Sequence, residues 1–198
     1  MDGRRGLADP ARKLPQTRVA LAYARERHAG QKRGCDGAPF IEHPIEVATL
    51  LADAGAPDHV IAAGLLHDTI EKTDADAADL RRRFGATIAT LVQAVSEDDQ
   101  IRGYRERKAA LRRQVAAAGP EALAIFAADK ISKVRELSRP PSPAVRGAGA
   151  QPAAPRPRRL AHYRHCLGML EELLGGSPLV AQLRRELAAL PGRSATAA

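Results

Sequence analysis

Four side chains that can bind a metal ion interrupt apolar helical patterns in this 198-residue chain. They are His43, His67, Asp68 and Asp129. Charged or polar side chains in an apolar setting usually persist only when they are paired or bound to a metal. Two imidazoles and two carboxylates suit Mn²⁺, Fe²⁺ or Mg²⁺ better than a closed thiolate zinc site. The set therefore predicts a divalent metal site with open positions for water and a phosphate oxygen.

The centre of this pattern is the stretch 64–71, in which an apolar run ends at an adjacent His-Asp pair. Neighbouring residues on an α-helix point about 100° apart, so His67 and Asp68 can converge on one ion only near a helix end or bend. Glu71 follows His67 by four residues and Asp68 by three, which places it on their helix face. A carboxylate there can act as a general base toward an activated water, or as an acid for the leaving oxygen.

Each of these residues also has a plainer interpretation. A single helical His is more often a satisfied core or surface residue, and Asp129 could pair with Lys130 or Lys133 at the surface. Glu71, followed directly by Lys72, could be solvated helix charge. Four such interruptions in one chain favour the metal site over these separate explanations.

Helices must position these side chains, because the composition favours an all-α fold. Apolar residues make up 44% of the chain, yet aromatic residues only 3%, so Leu, Ala, Val and Ile must build the core. No strand alternation or Asn-Gly hairpin signal is present. Apolar periodicity between Gly and Pro breaks predicts helices at about 17–28, 44–54, 58–71, 76–84, 86–95, 104–118, 121–137, 160–174 and 179–190.

The chain is predicted to form one domain over 15–190, between a flexible leader (1–14) and a disordered tail (191–198). The stretch 139–159 is rich in Pro and Arg and has no acidic residue, so an irregular loop is predicted there. The net charge of +8 suits a phosphorylated small molecule as partner, although an Arg-rich surface gives the same value without one. Nucleic acid is not expected, because the basic stretch lacks interleaved aromatic residues.

Two cysteines, Cys35 and Cys166, are too few to indicate a disulfide framework. No secretory apolar segment is recognised at the N-terminus, and no apolar run approaches the roughly 20 residues of a membrane span. A cytoplasmic protein without a membrane partner is therefore expected. No oligomeric state is predicted.

The loop 30–42 carries Lys32 and Arg33 shortly before His43. Basic side chains on a loop next to a metal site can face a phosphate or stack on a base. Solvated loop charge explains the same two residues equally well.

The order of these motifs resembles the HD phosphohydrolase superfamily, and most closely the hydrolase domain of the Rel/Spo alarmone proteins and the stand-alone small alarmone hydrolases. The similarity covers about 17–137. It is carried by 24–33, 37–44, 62–71, 84–92 and 128–130, with a further likeness at 162–164.

The resemblance implies an all-α HD-domain helical bundle and one Mn²⁺ ion bound by His43, His67, Asp68 and Asp129. It implies removal of the 3′-pyrophosphate from (p)ppGpp to give GDP or GTP, with Glu71 and Asp68 as the catalytic carboxylates. Arg33 is expected to pack against the guanine. The other expected substrate-binding residues are Lys32, Lys72, Lys130, Lys133 and Tyr163.

Two positions depart from the family pattern. Lys72 stands where the family has Asp, and Lys133 stands where it has Asn. These ammonium groups leave two alternatives open. One is a phosphatase that acts on a related nucleotide, for example by removing the 2′-phosphate of NADPH. The other is a non-catalytic nucleotide-binding HD protein. Metal content, and phosphate release compared with pyrophosphate release, separate the three hypotheses.

Overall fold

Helix boundaries in this protein follow its Gly and Pro positions. The computed structural model describes residues 14–138 and 156–190. The helices are α1 (Pro15–Arg27), α2 (Glu42–Asp53), α3 (Asp58–Leu66), α4 (Thr69–Lys72), α5 (Ala77–Val95), α6 (Tyr104–Ala118), α7 (Pro120–Ser138), α8 (Arg156–Leu174) and α9 (Pro178–Ala189). Across these two described ranges no strand forms, and an isolated antiparallel bridge pairs Lys32 with Pro39. The all-α prediction is confirmed.

Helix α8 begins earlier than the sequence predicts. It starts at Arg156, inside the stretch 139–159 that is predicted to be irregular, so that prediction is wrong for the last four residues. Pro157 is compatible with a first helical turn, where a backbone N–H has no partner to lose. The rest of that stretch, the leader residues 1–13 and the tail 191–198 lie outside the described residues. The domain limits 15–190 stay a prediction.

Helix α5 contains the two helices that the sequence predicts on either side of Gly85. The backbone at Gly85 has φ +85° and ψ 171°, which interrupts the helical path. Glycine adopts a positive φ without steric cost, so the chain bends here and both arms can pack on the core.

Helices α3 and α7 form the centre of the bundle. Every residue from Val60 to Leu66 is buried, and α3 packs against α1, α2, α5 and α7. Helix α7 also packs against α6, α8 and α9. A Cβ on Gly64 would lie 2.4 Å from Leu51 Cδ1, so glycine permits α2 and α3 to approach closely. The packing of α2, α3 and α7 therefore fixes the relative positions of the predicted metal ligands.

Among the helices described, none combines the length and the apolar character that crossing a bilayer requires.

Candidate metal-dependent active site

The helical path breaks at the adjacent His67 and Asp68. Helix α3 ends at Leu66 and α4 begins at Thr69, whose Oγ1 donates a 2.6 Å hydrogen bond to the Leu66 carbonyl. The prediction that one helix carries this pair together with Glu71 is wrong, because Glu71 lies on α4. The bend that adjacent ligands require is nevertheless found where the sequence predicts it, and it lets both side chains face one point.

The four predicted metal ligands converge inside the bundle. His43 Nε2 on α2 lies 3.2 Å from His67 Nε2 and 3.2 Å from Asp129 Oδ1 on α7. Asp68 Oδ2 lies 3.5 Å from the Nε2 atoms of both histidines. All four side chains are buried. Three separate parts of the chain thus place two imidazole nitrogens and two carboxylate oxygens around one centre.

Two carboxylate oxygens at this centre lack the hydrogen-bond partner that buried polar atoms normally have. Asp68 Oδ2 and Asp129 Oδ1 are buried without a hydrogen-bond partner. A buried carboxylate oxygen left in this state is costly, and a bound cation removes that cost. His67 Nδ1 donates to the Gly64 carbonyl at 2.8 Å, so in the neutral ring the Nε2 lone pair points to the centre. The residues therefore fit a divalent metal ion.

A chain of hydrogen bonds, here called the His43 relay, orients the other imidazole. Ser132 Oγ donates to Glu46 Oε2 at 2.7 Å, so it accepts from His43 Nδ1 at 2.9 Å. Arg135 continues the relay, donating to Glu46 Oε1 at 2.9 Å and to Glu186 Oε1 on α9 at 2.7 Å. The proton on Nδ1 leaves the His43 Nε2 lone pair facing the centre, which is the arrangement that metal-binding histidines use.

Burial and neighbouring charges set the protonation of the ligands. Burial, together with the Lys133 ammonium, lowers the pKa of His43 to about 4, so this ring is neutral near pH 7. Burial alone raises the pKa of Asp68, but the charge of His67 in its protonated form and the Lys133 ammonium outweigh it, and the net shift is downward. Burial also raises the pKa of Asp129, but the Lys130 ammonium outweighs it and the net shift is again downward. Both carboxylates are therefore ionised, as metal ligands must be.

A cleft of ≈ 190 Å³ opens onto three of these ligands, His67, Asp68 and Asp129. Its wall carries basic, acidic and aromatic side chains: Lys72, Lys108, Lys130, Lys133, Arg159, Glu71, Glu97, Tyr104, His162 and Tyr163. Ammonium and guanidinium groups beside ionised metal ligands suit the binding of a phosphate group next to a metal ion.

Glu71 faces this cleft from α4. Its Oε1 accepts a 2.7 Å hydrogen bond from the backbone N–H of Glu97, which fixes the carboxylate. Burial and the nearby Asp68 carboxylate raise the pKa of Glu71. A held carboxyl group with a raised pKa is suited to transferring protons.

Two lysines on α7 contact the carboxylate ligands. Lys130 Nζ lies 2.5 Å from Asp129 Oδ2, and Lys133 Nζ lies 3.8 Å from Asp68 Oδ2. Burial lowers the pKa of each lysine, but the carboxylates outweigh it and the net shift is upward, so both stay charged.

The two lysines that are predicted to depart from the family pattern share one aromatic contact. Lys72 Nζ lies 5.5 Å and Lys133 Nζ 6.0 Å from the centre of the Phe40 ring. The Phe40 ring in turn lies 5.8 Å from the His43 ring. Lys72 and Lys133 therefore lie next to the candidate metal-ligand cluster.

The remaining predicted substrate-binding residues, Tyr163, Arg33 and Lys32, differ in their position relative to the cleft. Tyr163 lines the cleft. Arg33 Nη2 is engaged by Asp36 at 2.7 Å and by Glu42 at 2.9 Å. Neither Arg33 nor Lys32 is among the described residues that line the cleft.

Several supporting side chains carry no assignment from the sequence. The charged and aromatic ones that line the cleft are Glu97, Tyr104, Lys108, Arg159 and His162. Glu46 and Ser132, which belong to the His43 relay, are spaced regularly from predicted ligands. Glu46 follows His43 by three residues, and Ser132 follows Asp129 by three. Residues three apart share a helix face, so each of the two lies on the face of a predicted ligand, a spacing too common to identify them by itself.

The helical bundle and its buried cluster of His and Asp side chains match a known class of protein. A protein-family model described as HD domain matches residues 20–151, which is more than half of the chain. The chain belongs to the HD domain family.

Relatives within this class are known from bacteria and animals. The GTP pyrophosphokinase of Streptomyces coelicolor is 38% identical over 127 residues, covering 63% of this chain and 15% of that protein. The human guanosine-3′,5′-bis(diphosphate) 3′-pyrophosphohydrolase MESH1 is 38% identical over 123 residues, covering 61% of this chain and 68% of that protein. The chain spans less than a fifth of the first of these relatives.

A solved structure shares the fold. It is described as a metazoan ortholog of SpoT that hydrolyzes ppGpp, and it matches with a TM-score of 0.70 and 27% sequence identity. The match covers 87% of this chain and 94% of that one.

Proposed function

We propose that this protein removes the 3′-pyrophosphate from guanosine polyphosphates, converting (p)ppGpp to GDP or GTP. The observation that carries the proposal is the convergence of His43, His67, Asp68 and Asp129 beside a cleft that Glu71 faces. The human relative is named for this reaction, and the structural neighbour is described as hydrolyzing ppGpp. Both support the same substrate here.

The ion that we propose for the site is Mn²⁺, held by the two histidines and two aspartates of the centre. A mixed set of nitrogen and oxygen donors supports this choice over a thiolate zinc site. When bound, a divalent ion supplies Lewis-acid chemistry to the phosphoryl oxygens.

The side chains of the cleft then have separate roles in the proposal. Glu71 accepts a proton from the attacking water, and its raised pKa suits the return of a proton to the leaving oxygen. Lys130 and Lys133 stay charged and bind phosphate oxygens, and Tyr163 contacts the nucleotide from α8. Asp68 serves as a ligand that also raises the proton affinity of Glu71.

The loop residues Lys32 and Arg33 stay predictions as guanine and phosphate contacts. Packing of the Arg33 guanidinium face against guanine is compatible with its in-plane hydrogen bonds to Asp36 and Glu42. The cytoplasmic location and the lack of a nucleic-acid partner also stay predictions from the sequence.

The test is turnover of ppGpp by the purified full chain, with Mn²⁺ and again after a chelator has removed the metal. Pyrophosphate and GDP should appear in equal amounts with Mn²⁺ and stop appearing with the chelator. A chain that holds one metal ion per molecule and leaves ppGpp intact contradicts the proposed reaction.

A second candidate is release of a single phosphate from a 2′-phosphorylated nucleotide such as NADPH. The specific observation in its favour is the pair Lys72 and Lys133, which adds two ammonium groups beside Phe40 and the ligand cluster. Orthophosphate and pyrophosphate release, measured side by side on ppGpp and NADPH, distinguish the two candidates. A purified protein without metal and inert toward both substrates would instead favour the non-catalytic binding protein.

A further inference from the structure

A second cavity, of ≈ 480 Å³, lies between α6 and α8 beside the cleft. Helix α6 contributes Arg105, Lys108 and Arg112 to its lining, and α8 contributes Arg158 and His165. No carboxylate is among the described residues that line it. We call it the basic cavity.

The arginines of the basic cavity are not neutralised by acidic partners within 14–138 and 156–190. Arg112 Nη1 instead lies 3.1 Å from Nδ1 of His162. Burial and the charges of Lys130 and Lys108 lower the pKa of His162 to about 2, so this ring is neutral and accepts a hydrogen bond without cancelling charge. Three arginines thus line a cavity to which the described residues contribute no carboxylate.

Other arginines of the same bundle are paired. Arg83 Nε lies 2.9 Å from Asp79 Oδ1, and Arg135 binds Glu46 on one side and Glu186 on the other. The fold can therefore supply carboxylates to arginines, and the basic cavity differs by having none.

A shared wall separates the basic cavity from the cleft. Tyr104, Lys108 and His162 line both spaces. On the cleft side the Lys108 ammonium pairs with Glu97. An anion in the basic cavity thus lies a single layer of side chains away from the cleft.

We propose that the basic cavity is a second anion-binding site, which takes a phosphate or pyrophosphate group of a nucleotide. Guanidinium groups present forked donors that match phosphate oxygens, and the Tyr104 ring and the alkyl stems of the arginines add apolar contact. Two sources supply such a group: the phosphates of a substrate bound in the cleft that are not cleaved, and a second nucleotide.

The binding test uses inorganic pyrophosphate as the probe, titrated calorimetrically into the full chain at low ionic strength with a chelator present. The cavity variant is Arg105→Gln with Arg158→Gln. The matched control is Arg113→Gln with Arg164→Gln, two exposed arginines of the same helices that do not line the basic cavity. Both double variants lose the same charge, and equal melting temperatures verify that both fold.

The cavity variant should bind pyrophosphate about tenfold or more weakly, since it loses charge-assisted hydrogen bonds, while the control stays within about twofold of the natural chain. An equal loss in both variants would show a nonspecific effect of net charge and overturn the proposal. Unchanged binding in the cavity variant would overturn it as well.

Kinetics then identify the source of the phosphate, and this arm rests on the proposed function. If the substrate supplies it, the cavity variant raises KM for ppGpp and leaves KM unchanged for guanosine 3′-diphosphate, which lacks the 5′-phosphates. If a second nucleotide supplies it, both KM values stay the same and the variant loses the response of the rate to added GTP. A chain inert toward ppGpp whose pyrophosphate binding still depends on the two arginines contradicts the proposed function and supports the basic cavity.

Discussion

The cleft and the basic cavity share a wall but balance their charges in opposite ways. In the cleft, Lys130 pairs with Asp129 and Lys133 lies near Asp68, so each ammonium faces a carboxylate. The basic cavity is lined by three arginines, of which Arg112 contacts a neutral imidazole, and no carboxylate is among the described residues of its lining. Because the cleft keeps two carboxylate oxygens without hydrogen bonds, it suits a cation first and an anion beside it. The basic cavity suits an anion alone.

The strongest way to break this contrast is to remove a carboxylate from the cleft with Asp129→Ala. The cleft then becomes more like the basic cavity, because Lys130 loses its paired carboxylate while Lys133 keeps Asp68. Metal content should fall to near zero and ppGpp hydrolysis by about a thousandfold, since Lewis-acid stabilisation contributes several kcal/mol. Metal analysis and pyrophosphate release measure the two effects.

The matched control for this variant is Asp99→Ala, an exposed aspartate outside the cleft lining. It should keep both metal and activity. A variant at Asp129 that retains one ion per chain would contradict the assignment of Asp129 as a ligand.

A narrower change, Glu71→Gln, should leave the metal in place and lower the hydrolysis rate by about a hundredfold or more, the usual contribution of a general base. The amide keeps the shape and can still accept from the Glu97 backbone N–H, but it cannot take a proton. Single-turnover rates and metal content are measured together. Glu172→Gln, at an exposed position on α8, is the control. Equal rates in the two variants would remove Glu71 from the mechanism.

Ser132→Ala tests whether the His43 relay supports the metal site. The His43 Nδ1–H loses its acceptor and Glu46 loses a donor, so metal affinity should weaken by about 10- to 100-fold. Competition with a chromogenic chelator measures the affinity without any turnover. Ser138→Ala lies at the exposed end of the same helix and should change nothing. An unchanged affinity at Ser132 would mean that packing alone orients His43.

The smallest expected effect is the difference between anion binding in the basic cavity and metal binding in the cleft in their response to salt. The basic cavity includes the exposed Arg105 and Arg158, whereas the ligand cluster is buried. Raising the ionic strength from about 0.05 to 0.5 M shortens the Debye length and should weaken pyrophosphate binding several-fold, with a smaller change in metal affinity. The Arg105→Gln, Arg158→Gln variant should lose most of this salt dependence. If pyrophosphate binding depended equally on salt in this variant and in the natural chain, the salt-sensitive binding would lie outside the basic cavity.

Local sequence signals were sufficient for most of the fold. Gly103 and Gly119 delimit α6 because each interrupts helical geometry, and the observed helix Tyr104–Ala118 has the predicted bounds. The bend at His67 and Asp68 was predictable too, since adjacent helical residues cannot otherwise share an ion. The start of α8 was missed because the Pro and Arg content around Pro157 is typical of a loop, although a proline is also compatible with a first turn.

Contacts between distant parts of the chain were harder to predict. Ser132 and Glu46 share faces with ligands, but residues three apart on helices are too common to single out this pair. The pairing of Arg33 with Asp36 and Glu42 depends on how the loop folds back, as in the bridge from Lys32 to Pro39. The basic cavity depends on the way α6 faces α8, which no local pattern specifies.

The His43 relay ends on α9, at Glu186, although α9 contributes no ligand to the centre. An ion that fixes the His43 ring also favours every bond along the relay, so filling the site should slow amide hydrogen exchange in α9. The last helix of the bundle thereby becomes a reporter of metal supply. In a cell short of the metal, α9 would be the region that opens more often and is exposed to proteases, so the lifetime of the protein would follow the availability of its ion.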